Sequence, residues 1–137
     1  MTGSSLWRVA DPAESAARTT RFGGQPTWDS TPRWPVFQDT PLPFLGQVSM
    51  PTGEVILMFM SDDEDAQSWE AEGAGPLAIG GEPRWLQYDQ TPAAAPVFVC
   101  QFDSFPDPQG WISFGDGGWA YLFMSDDRTV ARFLWQC

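Results

Sequence analysis

Phe59-Met60-Ser61-Asp62-Asp63 recurs letter for letter as Phe123-Met124-Ser125-Asp126-Asp127. Five consecutive identities within 137 residues point to an internal duplication, and a repeat decides an architecture before any single element does. In both copies the shared letters close a short apolar run, Val55-Ile56-Leu57-Met58-Phe59-Met60 in the first and Trp119-Ala120-Tyr121-Leu122-Phe123-Met124 in the second. Apolar runs this short, bounded by Gly and by Ser-Asp-Asp, do not suit buried helices and predict central strands covered on both faces.

Two further blocks extend the match toward the N-terminus. Phe22-Gly23-Gly24-Gln25-Pro26-Thr27-Trp28 aligns with Ile79-Gly80-Gly81-Glu82-Pro83-Arg84-Trp85, and Pro43-Phe44-Leu45-Gly46-Gln47-Val48 with Val97-Phe98-Val99-Cys100-Gln101-Phe102 through the Phe and Gln positions. The offset is 57 at Gly24/Gly81, 54 at Gln47/Gln101 and 64 at Phe59/Phe123, so the second copy is shortened early and lengthened between Ser104 and Gly117. That insertion is turn-rich and ends in Trp111-Ile112-Ser113-Phe114, which predicts a looped-out extra strand. Asp116, within Gly115-Asp116-Gly117-Gly118, carries the hairpin signal that follows it. In Gly-Gly-x-Pro-x-Trp, the glycines Gly23, Gly24, Gly80 and Gly81 are free to take positive φ. Pro26 and Pro83 fix the next turn of chain, giving a bend closed by a tryptophan. Ser61 to Glu64 allows one short helical turn, Thr129 to Gln136 predicts a returning strand, and Pro12 to Arg18 predicts a short helix capped by Asp11. The expected fold is one domain over residues 1–137, mainly β (β-rich α+β). It is an antiparallel sheet domain of two tandem pseudo-symmetric units, about 21–73 and 77–136, with at most one or two short helices.

Eight Trp and ten Phe supply a large core, and thirteen Pro with thirteen Gly imply many turns. All seven basic residues are Arg, so imidazole bases, His-liganded metals and Schiff-base lysines are excluded. The net charge of −11 opposes nucleic-acid and anionic-membrane binding and favours a basic protein partner. The start of the chain lacks a secretion-signal pattern and no apolar run has the length of a membrane span, so the expected setting is cytoplasmic. Cys100, in an apolar run, is expected to be buried, reduced and inert.

The combination of Ile79-Gly80-Gly81-x-Pro83-x-Trp85-x-Gln87, Phe44-x-x-Gln47 and Gly115-Asp116-Gly117-Gly118 leading into Tyr121-x-Phe123 resembles the YwqG-like bacterial family, whose biochemical function is unknown. The resemblance runs from about Arg21 to Gln136. It implies a compact, mainly antiparallel β fold with an internal repeat and implies no reaction. It also raises the expectation of a small acidic immunity protein.

The candidate binding residues are the acidic pairs Asp62, Asp63, Asp126 and Asp127, which would steer a basic partner, and the loop aromatics Trp28, Trp34, Trp85 and Trp111. Neighbouring acids are ordinarily solvated turns, and Pro-adjacent tryptophans more often close a β core than form a platform. Gln47 and Gln101, matched within apolar strands, must find polar partners, with backbone groups across the two halves as the ordinary solution. No catalytic residue, metal or cofactor is assigned. The expected function is that of a non-enzymatic acidic interaction domain, of immunity or regulatory type, monomeric or weakly homodimeric. The alternative is a small-molecule or glycan binding module built on the aromatics; a carboxylate-dependent hydrolase ranks last.

Overall fold

The structure, a computed structural model, describes residues 17–29, 31–37, 39–60, 77–80, 97–107, 110–112 and 118–136. Among the described residues there are strands and turns but no helix, as a mainly β fold requires. The predicted helix from Pro12 and the turn after Ser61 fall outside the described residues, except that Ala17 and Arg18 are not helical. Strands β1 (Arg21–Phe22), β4 (Phe44–Ser49), β5 (Val55–Met60) and β6 (Leu77–Gly80) form one sheet in the order β1-β4-β5-β6. Strands β7 (Val97–Asp103), β10 (Trp119–Met124) and β11 (Ala131–Gln136) form a second in the order β11-β10-β7. Two small ribbons complete the set: β2 (Val36–Phe37) with β3 (Thr40–Pro41), and β8 (Phe105–Asp107) with β9 (Gly110–Ile112). The β8-β9 ribbon lies within the insertion of the second copy.

The duplication is present in the strand register, residue for residue. In the first copy Gln47 lies opposite Leu57, Gly46 opposite Met58 and Phe44 opposite Phe59. In the second, Gln101 lies opposite Tyr121, Cys100 opposite Leu122 and Phe98 opposite Phe123. These are the pairs that the sequence offsets demand. Even the irregularity repeats: the ladder skips Leu45 in β4 and its counterpart Val99 in β7. A bulge of this kind bends a strand and increases its twist, so both hairpins acquire the same curvature at the same place.

The two hairpins share one core. Val48, Ile56 and Met58 of the first and Phe102, Ala120, Leu122 and Met124 of the second are buried in one cluster, with Ala131 and Phe133 of β11. The paired residues Val48 and Ile56 are replaced in the second copy by Phe102 and Ala120. One member grows as the other shrinks, so the pair conserves volume as a close-packed core requires. The reverse face of β5 is also covered, with Val55, Leu57 and Phe59 packed beside Leu42, Trp28 and Phe44. On β10 the expected two-sided cover is incomplete, because Trp119 is 47% exposed. β5 therefore matches the reading of a strand buried on both faces, and β10 departs from it.

The copies also differ in what flanks them. Ala78 and Ile79, the counterparts of Arg21 and Phe22, do not lie on β7 as β1 lies on β4. They run parallel to β5 within β6, pairing with Met58 and Phe59, so the mainly antiparallel fold contains one parallel pair. Gly46 marks a difference between the two edges. A Cβ there would stand 2.5 Å from the Arg21 carbonyl oxygen and 2.9 Å from Phe22 Cα, and the matching position in β7 is Cys100, which has a Cβ. A strand cannot approach β7 as closely as β1 approaches β4.

Gly46→Ala should accordingly cost about 2 kcal/mol through forced separation of β1 from β4. Cys100→Ala should cost about 1 kcal/mol or less. Urea denaturation of both variants checks the difference, and equal losses would contradict it.

Candidate functional site

Gln47 and Gln101 occupy equivalent positions on the outer faces of the two hairpins and meet opposite fates. Gln47 is fully buried. Its Nε2 donates to the carbonyls of Ala17 (3.1 Å) and Thr19 (2.9 Å) and to Thr27 Oγ1 (3.2 Å), while its Oε1 accepts from Thr27 N (3.0 Å). Arg21 adds a bond to the same Oε1 at 3.4 Å and donates further to the carbonyls of Ala17, Gly23 and Gln25. Its guanidinium sits 5.9 Å from the centroid of Phe44, and burial lowers its pKa from the ordinary value. The side chains of Gln47 and Arg21 together hold the main chain of residues 17–27 on β4. These partners lie in the first copy or in the segment just before it, which corrects the expectation of bonds across the two halves.

The bend that returns this segment to the sheet is made by Gly23 and Gly24, at φ 76° and 75°, followed by buried Pro26. Trp28 then stacks on Phe59 with centroids 6.3 Å apart, and Trp34 meets the same ring edge-on at 5.4 Å. The Trp34 indole N–H donates to the Leu42 carbonyl at 2.6 Å. Both rings lie against the end of the core, although Trp34 keeps 37% of its surface exposed.

The second outer face repeats the floor of this arrangement. Phe98 meets Phe123 edge-on at 5.9 Å and 68°, as Phe44 meets Phe59 at 5.5 Å and 64°. There the likeness ends: Phe98 is 56% exposed, Val97 44%, and Gln101 and Asp103 are exposed as well. Gln101 thus departs from the expectation of a polar group buried within an apolar strand. Two sequence differences at matched positions mark the change, Arg21 against Ala78 and Gly46 against Cys100. The exposure of Phe98 and Trp119 had no such signal in an apolar run.

Asp126 and Asp127 lie in the β10-β11 turn. Asp126 is exposed. Asp127, exposed as well, accepts from Ser125 Oγ (2.7 Å), Thr129 Oγ1 (2.7 Å) and Thr129 N (3.2 Å), and these bonds hold its pKa below the usual carboxylate range. Arg128, at φ 64°, reaches from this turn to Glu54 and Thr52 in the β4-β5 turn, tying the ends of the two hairpins together. Hydrogen bonds from Arg128 and then Thr52 bring the Glu54 carboxyl down to about 2. Cys100 is half-buried rather than buried, and desolvation pushes its thiol up to about 12, leaving little thiolate near neutrality. Trp111 lies in β9 and Gly80 ends β6, whereas Asp62, Asp63, Gly81, Pro83, Trp85 and Asp116 lie outside the described residues. Among the described residues no group of three or more His, Cys, Asp or Glu is placed to hold a metal ion, and no helix is long and apolar enough to cross a membrane.

No protein-family model matches the chain, and no curated protein or solved structure matches it either.

Gln47→Leu should destabilise the fold by about 3 kcal/mol, because it orphans the main-chain groups of residues 17–27. Gln101→Leu should stay within about 0.5 kcal/mol. Parallel chemical denaturation reads both, and an equal cost at the two positions would contradict the assignment. The ion pair adds a pH signature. Since the folded pKa of Glu54 lies below its ordinary 4.5, its contribution is present above that value and is lost as pH falls toward about 2. The melting temperature of Glu54→Gln should therefore lie slightly below that of the parent at pH 7 and converge with it near pH 2. A gap that persists there would exclude the pair as its source.

Proposed function

We propose that the domain is a non-enzymatic interaction protein whose acidic surface takes a basic protein partner, in the manner of an immunity or regulatory protein. A YwqG-like family membership and a cytoplasmic setting are parts of the same proposal. The observation that carries it is a net charge of −11 in which three of the seven arginines are engaged within the fold. Arg18 pairs with Asp29, Arg128 pairs with Glu54, and Arg21 is held by main-chain carbonyls. Exposed Asp39, Asp103 and Asp126 add to an anionic field that steers a cationic partner into contact. The alternative, a glycan or small-molecule module, is less well supported, because Trp28 and Trp34 are turned to the core around Phe59.

The test begins with a native-lysate pull-down that identifies a basic partner, followed by association kinetics across salt. The association rate should fall about tenfold between low and high ionic strength, with a smaller effect on dissociation. The variant Asp62→Asn, Asp63→Asn, Asp126→Asn should slow association while leaving dissociation nearly unchanged; Asp127 is spared because it holds its own turn. Salt-insensitive association, unchanged in that variant, would leave the acidity with a role in solubility alone.

A further inference from the structure

The geometry points to the outer edge of β7 as a strand-addition site for an extended, basic segment of a partner protein. This inference rests on the acidic-interaction reading and names the form its partner takes. On β4, Leu45 O accepts from Gly23 N at 2.8 Å and Ser49 N donates to Thr20 Oγ1 at 2.9 Å, so the main-chain groups of alternate residues 45, 47 and 49 face the β1 side. The shared register makes 99, 101 and 103 their counterparts on β7, facing away from β10. Among the described residues β7 has β10 on one side and no strand on the other. Such an edge is a ready template for an added strand.

The side chains around that edge suit the same occupant. Gln47 recognises the main chain of the segment on β4, through two carbonyls and one amide N–H, and makes no demand on side-chain identity beyond Thr27 and Arg21. Gln101 offers the same amide at the same place, exposed. Phe98 and Trp119 supply exposed apolar surface for alternate side chains of an incoming strand. Acids stand at both ends. Asp103 lies opposite Trp119, and Val97 lies opposite Met124, which leads directly into the turn bearing exposed Asp126. The fitting segment is therefore apolar at alternate positions, with Arg or Lys at each end, about 20 Å apart when extended. The Cβ of Cys100 holds it at ordinary strand spacing rather than at the close approach of β1. A second copy fits poorly, because antiparallel pairing of two β7 edges would set the Asp103 end of one against the Asp126 end of the other.

The probe is the peptide Arg-Val-Thr-Val-Thr-Val-Arg, titrated into the full chain with Trp fluorescence as readout, beside the same peptide N-methylated at alternate residues. The parent peptide should bind, and N-methylation, which removes main-chain donors and keeps the charge, should weaken binding at least about tenfold. Gln101→Pro removes one edge-facing N–H, a change that edge strands tolerate, and should weaken binding to the same degree with an unchanged melting temperature. Should Gln101→Pro misfold, the N-methylated peptide still decides the matter on the parent chain. Equal binding of both peptides would overturn strand addition while leaving the acidic-surface reading intact, and so would failure of the parent peptide to bind while deca-arginine binds in a salt-dependent way. If neither peptide nor deca-arginine binds, both readings fall. A concentration-dependent dimer in sedimentation that Gln101→Pro abolishes would assign the edge to a second copy and overturn the proposed partner.

Discussion

The packing of two bulged hairpins against one another is the constraint on which the rest of the fold depends. Each hairpin buries one face in the shared core through Val48, Ile56 and Met58 on one side and Phe102, Ala120 and Leu122 on the other. The bulge at Leu45 recurs at Val99, so both strands are bent at the same place in their ladders. A slip of one residue in either hairpin would turn its inward set outward, so each register is specified by the core it faces. The Arg128–Glu54 pair joins the turns at one end, but both groups are partly exposed and such pairs contribute little against a buried apolar cluster.

With the inner faces equivalent, the individuality of the two halves lies outside. On the first hairpin the main chain of residues 17–27 is clamped by Gln47 and Arg21, and Trp28 and Trp34 roof the Phe44–Phe59 pair. On the second, the ring pair Phe98–Phe123 and the glutamine are retained while the clamp arginine is replaced by Ala78 and the permissive glycine by Cys100. Among the described residues one duplicated unit thus has an edge covered by a strand and the other does not.

Much of this architecture was legible in the sequence because it depends on local pattern. The runs Val55–Met60 and Trp119–Met124 are strands with those bounds, and the bend at Gly23-Gly24 takes the positive φ that two glycines before a proline permit. The offsets of 54 and 64 became the pairing register itself. What escaped was everything decided by long-range company. Identical glutamines gave no hint that one would be buried and the other exposed, since that depends on which segment lies across them. The parallel placement of β6 beside β5 is a long-range pairing, which shows only once strands are brought together. The role of Asp127 as the acceptor that holds its own turn was hidden for a similar reason, because an Asp-Asp pair reads as two equivalent surface charges until the partners of each are known.

Amide hydrogen exchange, resolved by residue, tests the contrast between a closed and an open edge most directly. The account predicts that Gln47 and Ser49, whose amides face β1, exchange at least about a hundredfold more slowly than Gln101 and Asp103, whose amides face the edge of β7 that no described strand covers, while Met58 and Leu122 at the centres of the two hairpins are protected alike. Equal protection of Gln47 and Gln101 would contradict it, because the second hairpin would then be closed in the same way as the first.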